Sequence, residues 1–322
     1  MKKIAIIAFV FGIIFSPSAL AKEFPDVPRE HIHYVAIDYL SEEGIIKGNP
    51  DGTFAPGGEV NRASALTLIL KSAGVGLKKD ISETGFSDVS SDQWFAQSVV
   101  TAKELGIVNG NPDGTFTPGA PVQRAAFLKM LLETNRFKKE KWAGESTAKD
   151  VPKDAWHAPY MTYGVKAGLV IPDKNGNVMP DKVLDRGEMA EIIYVLNIIL
   201  KGSNTQFLIT QAEKQMAQIE IYIGDKNINL SKRASELSVD LTQQAMKNKP
   251  EDNVVLGAAK IARAYDLLVD AFIAGLQKNP EKAKEFAEMS KAKAGEAYAA
   301  NPETQPIGKH IKMRNDEILA QL

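Results

Sequence analysis

A chain of 322 residues is long enough for about two domains, and an apolar fraction of 44% can furnish a substantial core. A net charge of −1 excludes the basic surplus that a nucleic-acid binder carries. The absence of cysteine excludes disulfides and thiolate metal sites, and leaves the redox compartment undetermined by cysteine usage.

The chain opens with Met1-Lys2-Lys3, then an apolar run from Ile4 to Phe15 broken by Ser16-Pro17. Ala19-Leu20-Ala21 supplies small residues before a cut at Lys22, the pattern of a secretory signal peptide over residues 1–21. The alternative is an uncleaved anchor, but a dozen apolar residues fall short of ~30 Å of hydrocarbon. The best later candidate for a span, Val254 to Leu276, carries Lys260, Arg263, Asp266 and Asp270, each costly in lipid. The mature chain is therefore expected outside the cell, soluble or held at the surface by other means.

Next comes a unit copied three times at an interval of 62 residues. Asp26, Asp88 and Asp150 keep the interval, as do Gly44, Gly106 and Gly168, then Pro56, Pro118 and Pro180, then Arg62, Arg124 and Arg186. A unit too small to close its own core buries it against its copies. In the middle copy, Phe95, Val99, Ala102 and Leu105 step along one face of a predicted helix, which stops at Gly106. GNPDGTF, Gly110 to Phe116, is turn chemistry. A second helix is predicted from near Gln123, with Phe127, Leu128, Leu131 and Leu132 as its buried stripe. The first copy repeats GNPDGTF at Gly48–Phe54, whereas Asn175-Gly176-Asn177-Val178 replaces DGTF in the third. Asn61 and Asp185 are predicted N-caps, with Glu188 able to reach back as in a capping box; Gln123 is a poor cap with no evident compensation.

Each arginine opens a helix, where the dipole already presents positive potential and a cation is unfavourable. Two readings stand side by side. A guanidinium beside free helix N–H groups makes a receptor for carboxylate or phosphate; alternatively, each arginine pairs with an aspartate (Asp26, Asp88 or Asp150) of another copy. Trp94 and Trp156 share a register six residues after the repeat aspartate, where Ile32 stands in the first copy. An indole there either stacks on a sugar ring or fills core.

After Gly202-Ser203-Asn204, Ala, Lys, Glu and Gln dominate. Helices are predicted at about 206–223, 229–247, 252–277, 281–299 and 307–322. Asn279-Pro280-Glu281 and Asn301-Pro302-Glu303 read as helix starts, and Ile261, Tyr265, Leu268, Phe272 and Leu276 as one buried face. The passage Tyr265–Tyr298 resembles a tetratricopeptide unit, but its Asn-Pro links stand 22 residues apart where that family repeats at about 34. A four- or five-helix bundle is the expectation. No nucleophile elbow, phosphate loop or zinc signature appears. His31 and His33 lack a third ligand, and the glycine of Asp173-Lys174-Asn175-Gly176-Asn177 comes two positions early for an EF-hand. No enzyme, metal or cofactor is expected.

The series FxDV, Trp, Gly-Ile, GNPDGTF, Pro and an Arg-Ala string resembles the S-layer homology domain, in three copies from about Phe24 to Leu200. The family's Thr-Arg-Ala-Glu stands here as Asn61-Arg62-Ala63-Ser64, Gln123-Arg124-Ala125-Ala126 and Asp185-Arg186-Gly187-Glu188. The resemblance implies an all-α fold, the copies forming a pseudo-trimer around a central helical bundle with grooves between neighbours, followed here by a separate helical bundle. It implies non-covalent attachment to cell-wall polysaccharide, often a pyruvylated secondary polymer. Carried over, Arg62, Arg124 and Arg186 would grip the anionic substituent and Asp26, Asp88 and Asp150 the sugar hydroxyls. Trp94 and Trp156 would wall the groove, with backbone N–H groups near Gly110 and Gly114 assisting. The expected organisation is a signal peptide over 1–21, repeats over 22–82, 83–144 and 145–202, and a helical bundle over 203–322. The expected location is the cell surface, with one or two working grooves. The alternative is an envelope structural protein whose repeats hold peptidoglycan and whose helical half binds a protein partner.

Overall fold

The computed structural model describes residues 24–142 and 148–321, so the predicted signal peptide lies outside the described residues. Among those residues there are eleven α-helices and no β-strand, the all-α architecture expected. The chain divides into two compact units, one built on residues 36–197 with the segment ending at Val27, the other on 198–322 with Pro28–Val35.

The repeat unit carries its helices in strict phase. The first helices of the copies are α1 (Tyr34–Glu42), α3 (Ala96–Glu104) and α5 (Ala158–Lys166); the second are α2 (Arg62–Ser72), α4 (Arg124–Thr134) and α6 (Arg186–Leu200). Each first helix stops at the predicted glycine, which takes a left-handed backbone: φ is 67° at Gly44, 73° at Gly106 and 72° at Gly168. Phe127, Leu128, Leu131 and Leu132 are buried as the pattern requires. Leu105 departs from it: it sits just past the end of α3 and is exposed.

Three backbone hydrogen bonds close the unit on itself. Val60 N–H donates to Leu184 O (3.1 Å), Leu184 N–H to Val122 O (3.0 Å), and Val122 N–H to Val60 O (2.9 Å). These residues are 62 apart, one per copy, and isolated antiparallel bridges between Glu59 and Asp185, Asn61 and Pro121, and Gln123 and Val183 flank them. The ring gives the pseudo-threefold arrangement its centre. Around it the first helix of one copy packs on the second helix of the copy before: α3 on α2, α5 on α4, and α1 on α6 through Tyr39 and Tyr194, whose rings lie 5.3 Å apart.

The helical unit holds α7 (Thr205–Gly224), α8 (Ile228–Asn248), α9 (Asn253–Leu276), α10 (Pro280–Ala300) and α11 (Gln305–Leu319), five helices within a few residues of the predicted bounds. Asn279 caps α10 through Lys282 N–H (3.1 Å). Asn301 instead caps a 3₁₀ turn, Pro302–Thr304, that leads into α11, so this Asn-Pro link starts a turn rather than a long helix. Helix α9 is central, packing on α7, α8, α10 and α11. It is buried on more than the one predicted face, with Ala262, Leu267 and Val269 also enclosed, and Leu276 at its end is exposed.

Candidate functional site

In every copy the repeat aspartate, which stands in FxDV in the first two copies and after Ala148 in the third, grips the DGTF-type loop of its own repeat. Asp26 accepts from Phe54 N–H (2.8 Å) and Ala55 N–H (2.6 Å). Asp88 does the same for Phe116 and Thr117 (both 2.7 Å), and Asp150 for Val178 (2.9 Å) and Met179 (2.6 Å). The second residue of each pair has a left-handed backbone although it is not glycine: φ is 55° at Ala55, 54° at Thr117 and 47° at Met179. A bidentate carboxylate thus holds a strained bend in place. Burial would raise the Asp26 carboxyl, but these backbone donors outweigh it and hold it below the ordinary value.

The loop so fixed faces the neighbouring copy. Its carbonyls receive the first two N–H groups of that copy's second helix: Arg62 and Ala63 donate to Ala120 and Pro118 (2.9 and 3.0 Å). Arg124 and Ala125 donate to Lys182 and Pro180 (both 2.9 Å), and Arg186 and Gly187 to Gly58 and Pro56 (2.9 and 2.8 Å). The helix-start N–H groups expected to help receive an anion are therefore occupied by protein carbonyls. They also compensate Gln123, whose side chain makes no cap bond, while Asn61 caps Ser64 N–H and Asp185 caps Glu188 N–H (both 2.8 Å). Gly114 N–H closes the turn on Asn111 O (3.0 Å).

The arginine side chains cross to the same neighbour. The Arg62 guanidinium lies over the Phe116 ring, 4.8 Å from its centroid, and makes no hydrogen bond or ion pair with the described residues; its buried Nε has no partner. Burial lowers its pKa. Arg186 lies over Phe54 at 4.6 Å and donates from Nε to Phe54 O (2.7 Å); burial lowers its pKa, and the nearby Asp26 opposes this. Arg124 is different. The residue facing it is Val178, which offers no ring. Arg124 is 7% exposed, donates to Val178 O, and pairs with Glu188 (2.9 Å). Glu188 also takes Lys182 (2.6 Å), so it bridges two cations instead of reaching back to its helix start. Among the described residues no arginine of the three makes a direct ion pair with a repeat aspartate, although the Asp26 charge acts on Arg186, and the paired carboxylate that does appear, Glu188, serves Arg124.

Trp94 and Trp156 stand out in solvent, 66% and 58% exposed, each edge-on to the next ring, Phe95 or His157, at 5.2 Å. Both are therefore surface residues and not core filling. Ile32, at the same register in the first copy, is also exposed. The stacking partners Phe54 and Phe116 were not singled out from the sequence, although their fixed place in GNPDGTF was a usable signal. No cluster of His, Asp and Glu that could hold a metal occurs among the described residues.

The third loop keeps its form despite its changed sequence. Asp173 N–H meets Asn177 O at 2.8 Å, as Asn111 N–H meets Thr115 O at 2.8 Å. The substitutions are connected. A Cβ on Gly110 would come within 2.3 Å of the Phe86 ring, and one on Gly48 within 2.3 Å of Phe24. The third copy has Ala148 at the phenylalanine position and Pro172 at the glycine position, so the smaller residue makes room for the larger.

These repeats are S-layer homology domains, matched by that family's model at residues 23–66, 85–128 and 149–190. Among known relatives, the chain is 28% identical over 187 residues to an S-layer protein of Bacillus thuringiensis subsp. finitimus, covering 58% of this chain and 22% of the relative. It is 30% identical over 188 residues to S-layer protein EA1 of Bacillus anthracis, covering 58% and 21%. An uncharacterized cell wall amidase of Bacillus anthracis is 25% identical over 189 residues, covering 58% and 34%. The chain thus spans about a fifth to a third of the length of these relatives. The domains and their relatives mark a secreted, cell-surface protein. No helix among the described residues is long and apolar enough to cross a membrane.

Proposed function

We propose that the repeat unit anchors the chain non-covalently to an anionic cell-wall polysaccharide, of the kind that carries a pyruvate ketal, and that it acts as an attachment module and not as an enzyme. The grooves are composite: the arginine comes from one copy, the aspartate, loop and tryptophan from the next. Arg62, Asp88, Phe116 and Trp94 make the best-equipped groove, and Arg62 is the observation that carries the reading. Its guanidinium is half-buried on an aromatic ring, with no acceptor among the described residues to satisfy it. A carboxylate entering there meets a planar fork of donors in a partly desolvated place. Arg186 with Asp26 forms a second groove, and the first copy has no tryptophan at the register of Trp94 and Trp156. Arg124 is already neutralised by Glu188, so the groove with Asp150 and Trp156 contributes least. The relatives' names, S-layer protein and cell wall amidase, share the wall surface, which supports the attachment role.

Sedimentation with purified wall polymer tests this. Arg62→Ala is expected to weaken binding by about tenfold or more, the loss of a charge-assisted bidentate contact. Arg124→Ala is expected to lower the melting temperature while changing affinity little, and polymer stripped of pyruvate is expected to bind poorly. Undiminished binding by a folded variant with all three arginines replaced by alanine would falsify the assignment.

A further inference from the structure

The helical unit contains a cavity that the anchoring role does not use. It lies between α7, α9 and the Pro302–Thr304 turn with the start of α11, and has a volume of about 90 Å³. Its walls are mostly apolar, with Ile209, Met216, Ile261 and Ile307 among them, and the exposed Val254 stands at its edge. Two polar side chains line it without partners. Tyr265 is wholly buried and its hydroxyl has no hydrogen-bond partner among the described residues. Glu213 makes no hydrogen bond or ion pair with the described residues, and burial alone pushes its carboxyl up to about 7. The other carboxylate in the lining, Glu303, is exposed.

Buried polar groups are normally satisfied, and leaving one unmet costs about 1–3 kcal/mol. Here the Tyr265 hydroxyl is left so, in an apolar pocket whose lining also holds the half-buried Glu213 carboxyl. We infer that the cavity binds a small alkylammonium compound, its chain among the apolar side chains and its ammonium donating to the Glu213 carboxylate and the Tyr265 hydroxyl oxygen. An anion would be repelled by Glu213. A neutral hydrocarbon would leave both polar groups unmet. An ammonium carries several donors and a charge opposite to that of the carboxylate. The volume is below the roughly 150 Å³ of a cavity that accepts benzene, which limits the body to a few carbons.

Calorimetric titration of the full chain with n-butylammonium chloride at neutral pH tests this, against n-butanol and butyrate at matched ionic strength. Saturable binding of butylammonium is expected, at least about tenfold tighter than butanol, the scale of one charged hydrogen bond. Glu213→Gln should abolish that preference and Tyr265→Phe should weaken it. Ala258→Leu, which places bulk in the lining, should block binding even if Tyr265→Phe fails to fold. The inference is overturned if butylammonium shows no saturable binding, binds no better than butanol, or binds equally well to Glu213→Gln. Wall-polymer binding by the repeats stays unchanged in all these variants, so the outcome is separate from that of the anchoring test.

Discussion

Asp88 shows how one side chain sets both the shape and the chemistry of a groove. Its two oxygens hold consecutive N–H groups, one of them on Thr117 with φ of 54°. Removing it leaves two amides unmet and a strained residue unsupported. Asp88→Ala should therefore cost about 1–3 kcal/mol in chemical denaturation, and a loss under about 0.5 kcal/mol would show that the clamp is not structural. The aspartates were legible in the sequence as phased and polar, but not as backbone clamps, since their partners lie 28 and 29 residues further on in a loop that must first fold. The arginines separate only through what faces them. Phe54 and Phe116 accept a guanidinium on their rings, whereas Val178 cannot, and Glu188 then takes the charge of Arg124.

At the scale of the element, the helix starts of the repeat are completed from outside. The first two N–H groups of α2, α4 and α6 go to carbonyls of another copy, which explains how α4 begins at Gln123 without a side-chain cap. One amide further in, Asn61 and Asp185 add a bond that Gln123 lacks. Gln123→Asn should stabilise the protein by about 0.5–1 kcal/mol in thermal or denaturant melts, because the backbone at 123 already has the extended conformation of a cap. No gain would mean that the adjoining loop sterically excludes the cap. Helix existence was legible here because apolar periodicity is a local property. The exposure of Leu105 and Leu276 was not, because both lie at helix ends where the neighbouring layer has already fallen away.

For the whole molecule, the ring through Val60, Val122 and Leu184 requires each copy to present the same backbone atoms at the same height, which is the physical sense of an interval held at 62. In the helical unit a buried and a half-buried carboxylate, Glu220 and Glu213, act oppositely on stability. Burial would raise Glu220, but His310 and Arg314, each 2.9 Å away, outweigh it and hold the carboxyl below its ordinary value. Its contribution is present above the unfolded value near 4.5 and is lost as pH falls through the depressed folded value. Glu213, raised to about 7, holds its proton longer in the folded state. Stability from this group declines as pH rises from about 4.5 towards 7, with the full penalty above that; Tyr265 and Glu303 are the other ionisable groups lining its cavity. Glu213→Gln should therefore raise the melting temperature at pH 8 and leave it nearly unchanged at pH 4. An equal shift at both values would contradict the assigned titration.

The sequence by itself determined the repeat, the helices, the phase of the arginines and the family, because periodicity, turn chemistry and spacing are written along one chain. Only the tertiary structure decided which arginine is unpaired, that helix-start amides are already bonded, and that the tryptophans face solvent. The first two depend on groups of another copy, brought together at ångström distances only when three loops and three helices close on one axis, and the third on what the fold leaves uncovered.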